Sequence, residues 1–410
     1  MYYYLSFLRP PPLQAPLGTP LTITPQIAND LRTERYPDAY DLYYSWSLNK
    51  PAVLTSASNQ PLQITRPLKL TTWRESNAYR ELSIPGPLGA KEGQAYRLVL
   101  LAQPQGMPHI VNFLADCSAP LPVMSMPILF SSRRGPHISK QEQVERIYRL
   151  PLAEASDAFL SIVEQTSFDL DKKVWDSGVG MSAWLSDIAR QDGRTAPQNA
   201  TAQNLRSIIA KKDCNIIELG KQILPKPANR AGTGIVSLAL GALRSETAGP
   251  ESTGTIISTD LRERIAVAAP SAIPLLERNI SANKHYFSTH HTQPRAVVLD
   301  WDEERLPKEV TDVKAGFDLI VMADVAYNTA SFDSLIHTIE RIFSISRNSN
   351  RRAAPMVLLG YKERDAAERS LWDMCLSIGV TLQKLGEKVG AGGAPVEIWA
   401  GKRDCALPET

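Results

Sequence analysis

The sequence predicts an α/β protein in which a seven-stranded sheet, helices on both faces and an antiparallel C-terminal hairpin follow a smaller β-rich module. Three observations lead there. Beyond residue 214, short apolar runs alternate with longer stretches of helical periodicity, and runs that are apolar almost throughout suit parallel strands buried on both faces. The last two runs, 381–388 and 395–402, have only Gly390-Ala391-Gly392-Gly393 and no helix between them, so they must pair antiparallel. Eighteen of the thirty prolines fall before residue 150, which sets the front of the chain apart. At 410 residues, two domains are expected, 1–150 and 151–410.

Taken in order, the front module offers strand-like segments at 40–47, 62–64, 68–73, 79–84, 96–101 and 123–130, punctuated by Pro51, Pro61, Pro67, Pro85-Gly86-Pro87 and Gly106. The stretch from Pro10 to Pro25 reads as extended and mobile. The polar stretch 131–143 reads as a linker. A helix with an apolar face of Met181, Trp184, Leu185 and Ile188 comes next, then a polar loop over 191–203 and a short helix over 205–212. Strands follow at 215–220, 255–260, 296–301, 317–323 and 355–361, with helices at 233–243, 263–283, 330–346 and 364–378.

The first crossover carries the chemistry. Asn215 to Gly220 is a buried strand closing on glycine; Ala231-Gly232-Thr233-Gly234 opens a helix; Thr255 to Asp260 is a β-branched strand ending in a carboxylate. Glycines at a strand-to-helix turn let a ligand lie against bare backbone, and an acid at the next strand tip can accept bonds from two ribose hydroxyls. A nucleoside cofactor is implied. The nicotinamide fingerprint asks for a third glycine where this chain has Ser237. Glu218 beside the turn would repel a pyrophosphate and suits a cofactor with a cationic amino group and sulfonium, which points to S-adenosyl-L-methionine.

Composition narrows the partners. Lys plus Arg is 45 and Asp plus Glu 43, a balance that gives no pull toward nucleic acid or membrane. No apolar run nears the roughly 18–20 residues of a membrane span. Cys117, Cys214, Cys375 and Cys405 are scattered, without metal-ligand spacing, as in a reducing compartment. His290-His291 reads as a solvated loop, and Met1 to Arg9 lacks the features of a signal peptide. Cytoplasm, nucleus or both is the expected location. Asn279 and Asn283 read as cap and surface residues, and Glu363-Arg364-Asp365 as a solvated helix start.

Val174-Trp175-Asp176-Ser177-Gly178, Glu218-Leu219-Gly220 with Ala231-Gly232-Thr233-Gly234, Asn279 to Asn283, Leu299-Asp300-Trp301 and Ala323-Asp324-Val325-Ala326-Tyr327 occur in that order. Over residues 160–402 this set resembles the Rossmann-like seven-β-strand methyltransferases of the METTL21-like group, most of which methylate lysine side chains of other proteins. The resemblance implies that Trp175 covers the cofactor, and that Glu218, Gly220, Gly232 and Gly234 line its methionine and ribose end. It implies that Asp260 holds the ribose, that Asp300 and Trp301 flank the adenine, that Ala323 touches the cofactor, and that Asp324 and Tyr327 face the incoming amine. Each has a plainer alternative. Trp175 and Trp301 could be core aromatics, Asp324 could cap the helix beginning near Ala330, and Tyr327 could be packing. Asp-Val-Ala-Tyr, in place of the Asn/Asp-Pro-Pro-Tyr of amide and base methyltransferases, favours an aliphatic amine. The front 150 residues lie outside the resemblance and could recruit the substrate.

One departure stands out. Residues 221–230, Lys-Gln-Ile-Leu-Pro-Lys-Pro-Ala-Asn-Arg, interrupt what would otherwise read Glu-Leu-Gly-Ala-Gly-Thr-Gly. They are either a real loop or a translated intervening sequence, and a real loop at this turn could alter or abolish cofactor binding. The expectation is a protein-lysine N-methyltransferase; its alternative is a catalytically silent interaction protein that keeps the fold.

Overall fold

The computed structural model describes residues 1–49, 62–113, 117–133, 140–152, 156–166, 172–190, 199–220, 232–261, 273–347 and 354–403. The expected insertion at 221–230, the polar loop over 191–198 and the first part of the 263–283 helix lie outside them. The chain forms two compact units. One comprises Met1–Arg149, Phe159–Leu170 and Gly390–Gly393; the other comprises Leu150–Ala158, Asp171–Val389 and Ala394–Thr410.

The described residues of the first unit form strands and one short 3-10 turn, Glu75–Asn77. Its strands are β1 (Tyr4–Arg9), β2 (Gln14–Ala15), β3 (Leu21–Ala28), β4 (Tyr40–Leu48), β5 (Leu68–Trp73), β6 (Leu82–Ile84), β7 (Gln94–Leu101), β8 (Ile110–Asn112), β9 (Val123–Ser125), β10 (Ile128–Phe130), β11 (Gln143–Pro151) and β12 (Asp157–Gln165). β1, β3 and β6 make one sheet, and the other nine make a second. The stretch from Pro10 to Pro25, expected to be mobile, is built into these sheets instead. Leu21, Ile23 and Ile27 are buried, and Pro25 sits opposite Phe7 beside a register shift, where a missing N–H is tolerated. No strand forms at 62–64; there Ser45 and Ser47 donate hydroxyl bonds to the carbonyls of Thr65 and Gln63. Past the stretch read as a linker, of which 134–139 are not described, the chain returns as β11 to pair with β8 and β9.

The second unit holds the alternating elements. They are α1 (Asp176–Arg190), α2 (Ala200–Ala210), β13 (Ile216–Leu219), α3 (Ile235–Thr247), β14 (Ile256–Asp260), α4 (Ile273–Ala282), β15 (Arg295–Val298), α5 (Lys308–Thr311), β16 (Leu319–Ala323), α6 (Phe332–Arg347), β17 (Met356–Tyr361), α7 (Ser370–Ser377), β18 (Gln383–Lys388) and β19 (Val396–Lys402). The sheet order is β15-β14-β13-β16-β17-β19-β18, parallel except for β19, which runs antiparallel to both neighbours. This is a Rossmann-like sheet with its expected C-terminal hairpin.

Period-two alternation sorts each strand between two layers. Ile217, Leu219, Ile257, Val297, Ile320, Met322, Val357 and Leu359 join one core with Val310 of α5, Phe332, Leu335, Ile339 and Ile342 of α6, and Leu371 and Cys375 of α7. Burial within that core pushes the Cys375 thiol up to about 12, which makes it an inert packing group. α1 and α3 cover the opposite face, where Gly178 and Gly180 allow close approach: a Cβ at Gly178 would lie 2.9 Å from Ile235, and one at Gly180 2.7 Å from Val396.

Candidate active site

Strand order reverses between β13 and β16, so the crevice beyond their carboxyl ends is where an open α/β sheet places its ligand. On the β14 side, Gly220 ends its strand so close to the neighbour that a Cβ there would lie 2.1 Å from the Thr259 carbonyl oxygen. The glycine is required by strand packing. Gly234 is required by conformation, since it precedes the first residue of α3 at φ +75°. Gly232 is different: among the described residues, the nearest atom to its added Cβ is the Gly234 nitrogen at 4.0 Å.

Asp260 closes this turn. It is 2% exposed, and its carboxylate accepts bonds from the Gly232 N–H at 2.6 Å and the Leu261 N–H at 2.6 Å. Asn279 holds the turn from behind. Its side-chain amide donates to the Thr233 carbonyl at 3.0 Å, and Asn283 donates to the Asn279 carbonyl at 2.7 Å. Both asparagines are fully buried, which corrects their reading as surface residues, although Asn283 does stand at the N-cap of the short 3-10 turn Lys284–Tyr286.

Glu218 has a more local task than its charge suggests. One oxygen accepts the Ser237 N–H at 3.2 Å, the Ser237 hydroxyl, and the Ser258 hydroxyl at 3.0 Å. An acid at the start of a helix satisfies an otherwise orphaned donor and complements the dipole. Desolvation nevertheless pushes its carboxyl pKa up, opposed by those hydrogen bonds. Ser237, noted in the sequence only as an absent glycine, is therefore the partner that ties strand to helix. The spacing Glu218 to Ser237 carries no signal that could have shown this.

Across the switch point the construction is ionic. Asp324 follows β16 at φ +56°, a left-handed conformation that costs about 1–2 kcal/mol for a residue with a Cβ and that Asp tolerates better than most. Its carboxylate accepts the Ser177 N–H at 3.0 Å, in the first turn of α1, and the Arg364 guanidinium at 2.7 Å. The cap of the turn near Ala330 is Asn328, not Asp324. A second buried pair lies alongside, with the Lys362 ammonium 2.8 Å from Asp176. Trp175 packs here, 7% exposed, with the cations of Arg364 at 5.4 Å and Lys173 at 5.3 Å from its ring centre. Arg364 belongs to the stretch read as a solvated helix start; Glu363 and Asp365 are indeed exposed, but Arg364 reaches the site.

The remaining expected residues divide. Ala323 ends β16, one residue before Asp324, and Tyr327 lies half-buried in the following turn. Trp301 is 3% exposed in the core with Leu299, Val310 and Phe317, and its carbonyl accepts a bond from Arg341 of α6 at 3.1 Å. Asp300 lies two residues past the end of β15. Asp300 also accepts the Asp302 N–H at 3.0 Å. The geometry thus gathers Gly220, Gly232, Gly234 and Asp260 at one turn, and Trp175, Asp324 and Arg364 at the other. The Trp301 ring joins neither.

Bare backbone at Gly232 beside the buried Asp260 carboxylate fits a nucleoside donor whose ribose hydroxyls meet an acceptor. A UPF0665 family protein of Schizosaccharomyces pombe is 23% identical over 242 residues, which is 59% of this chain and 58% of that protein. The chain thus spans less than two thirds of that relative's length. Among solved structures, a methyltransferase from Pyrococcus furiosus is 16% identical, covering 54% of this chain and 92% of the other with a TM-score of 0.29. A SAM-dependent methyltransferase from Agrobacterium tumefaciens is 13% identical, covering 66% and 73% with a TM-score of 0.36. A family model described as lysine methyltransferase, a family that uses S-adenosyl-L-methionine, matches residues 154–377. That match spans more than half of the 410 residues, and the chain belongs to the lysine methyltransferase family.

Proposed function

We propose that this chain is a protein-lysine N-methyltransferase acting on a lysine presented by another protein. The observation that carries the reading is the pairing, across one switch point, of a glycine turn closed by Asp260 with a fixed carboxylate at Asp324. Membership in the lysine methyltransferase family supports it. S-adenosyl-L-methionine, when bound, supplies a methyl group already activated on a sulfonium. The chain then has to place two partners in line and manage one proton.

Gly232 offers backbone to the donor, Asp260 takes its ribose hydroxyls, and Trp175 covers it. Asp324 and the Tyr327 hydroxyl orient the amine. A lysine of ordinary pKa, near ~10.4, is nearly all protonated at neutral pH and cannot attack. The acceptor must therefore be bound as the neutral amine, its proton passing to water. Asp324, already accepting two bonds, orients without serving as the proton sink.

The test is to incubate the full chain with radiolabelled S-adenosyl-L-methionine and cell lysate. A labelled protein band, mapped to lysine, is expected. No label from a folded chain that binds donor rejects the reading. A silent interaction protein is the second reading, favoured by the insertion at 221–230 and by the bonds Asp260 already makes within its own turn. Calorimetry decides between them, because measurable donor binding contradicts silence. No helix among the described residues is long and apolar enough to cross a membrane, and residence in cytoplasm or nucleus belongs to the same proposal.

A further inference from the structure

We propose that Arg364 is a positioning residue that couples the donor side of the site to the acceptor side. The inference rests on the lysine reading above for what the acceptor is, and on geometry for the coupling itself. A single guanidinium donates to Asp324 Oδ1 at 2.7 Å and stands over the Trp175 ring at 5.4 Å. The other Asp324 oxygen accepts the Ser177 N–H at 3.0 Å, two residues beyond Trp175. Arg364, Asp324 and the 175–177 segment therefore close a small ring of contacts, and displacement of any one member is felt by the other two.

The residue type matters. Arginine presents a planar fork that binds a carboxylate with one edge and stacks on an aromatic with its face, whereas lysine offers a point charge. Its backbone is anchored as well, the Arg364 N–H donating to the Glu368 carboxylate at 3.2 Å. It also neutralises Asp324 as a pair. A pair without net charge gives no advantage to a protonated ammonium over the uncharged amine that methyl transfer needs. Trp175 placed over the donor and Asp324 aimed at the amine are thereby set by one group, which contacts both and needs to touch neither donor nor acceptor.

Three full-length proteins test this: wild type, Arg364→Gln and Arg364→Lys. Hydrogen exchange at Ser177 reads the acceptor side, and calorimetry with S-adenosylhomocysteine reads the donor side. In Arg364→Gln, Ser177 exchange is expected to speed up, and the affinity for S-adenosylhomocysteine to fall, each about tenfold. In Arg364→Lys the charge returns without the fork, so protection at Ser177 recovers while affinity stays reduced. A purely structural arginine would not split the two readouts. Unchanged exchange and unchanged affinity in Arg364→Gln overturn the proposal. Should Arg364→Gln fail to fold, Trp175→Leu, which removes the ring from beneath the guanidinium, is expected to lower affinity and speed Ser177 exchange together; Ser177 exchange as in wild type there overturns the proposal. A wild-type chain that binds S-adenosylhomocysteine but labels no protein sinks the lysine reading alone, with the exchange and affinity arms still deciding the coupling. A wild-type chain that does not bind it sinks both.

Discussion

The two sides of the switch point solve the same problem by different physics. At β13 and β14 the chain is held by closeness: Gly220 against the Thr259 carbonyl, Gly234 in a left-handed turn, and neutral amides and hydroxyls bonding around Asp260 and Glu218. At β16 and β17 it is held by charge: Asp176 with Lys362, and Asp324 with Arg364. The first side is intolerant of added volume and the second of an unpaired ion. Under the proposed function, the first side suits a donor that is mostly ribose and base, and the second suits an acceptor whose protonation state fixed charges must govern.

The largest break should come on the ionic side. Lys362→Met removes the ammonium 2.8 Å from Asp176, which has no exposed surface, and removal of one member of a buried pair costs about 3–5 kcal/mol. Denaturant unfolding checks this. Adding Asp176→Leu should recover much of the loss, since well-packed apolar groups often replace such pairs without penalty. A double variant as weak as the single one would show that the ions do more than hold α1.

The steric side yields the next effect. Gly220→Ala puts a methyl 2.1 Å from a backbone oxygen that has no rotamer to escape into, and should cost about 1–3 kcal/mol in the same measurement. Gly232→Ala is the control. Among the described residues its Cβ meets nothing nearer than 4.0 Å, so stability should stay within about 0.5 kcal/mol of wild type while donor affinity drops. Equal stability of the two variants would deny that the turn is set by contact with β14.

How much of this could be read beforehand follows the same division. The sheet of the second unit was legible because apolar runs and helical periods alternate without ambiguity, and the hairpin because Gly390 to Gly393 leaves no room for a helix. The glycine turn was legible because conformation and closeness select glycine by type. The ion pairs were not. Arg364 and Asp324 are 40 residues apart, and Ser177 is 147 from Asp324, so no local pattern joins them. Asn279 and Asn283 misled because the i, i+4 spacing of two polar residues reads as a surface, although here it lines a buried contact with Thr233. In the first unit, proline hid β3, because Pro25 stands where a bulge spares it the missing donor.

The smallest effect separates the two sides by pH. Desolvation raises the Glu218 carboxyl pKa in the folded chain above its ordinary value of 4.5, with Ser237 and Ser258 limiting the rise. Below pH 4.5 the group is protonated whether the chain is folded or not. As pH climbs past that point the unfolded chain loses the proton first, so it binds fewer protons than the folded one and unfolding becomes easier. The loss continues until pH passes the raised folded value and then levels off. Glu218→Gln removes this slope above pH 4.5 while keeping an oxygen for Ser237 and Ser258. Urea midpoints measured across that range should therefore fall less steeply in the variant than in the wild type. Parallel curves would mean that the acid at the end of β13 is as well solvated as any surface carboxylate, and that the donor side is set by the glycines and Asn279 without it.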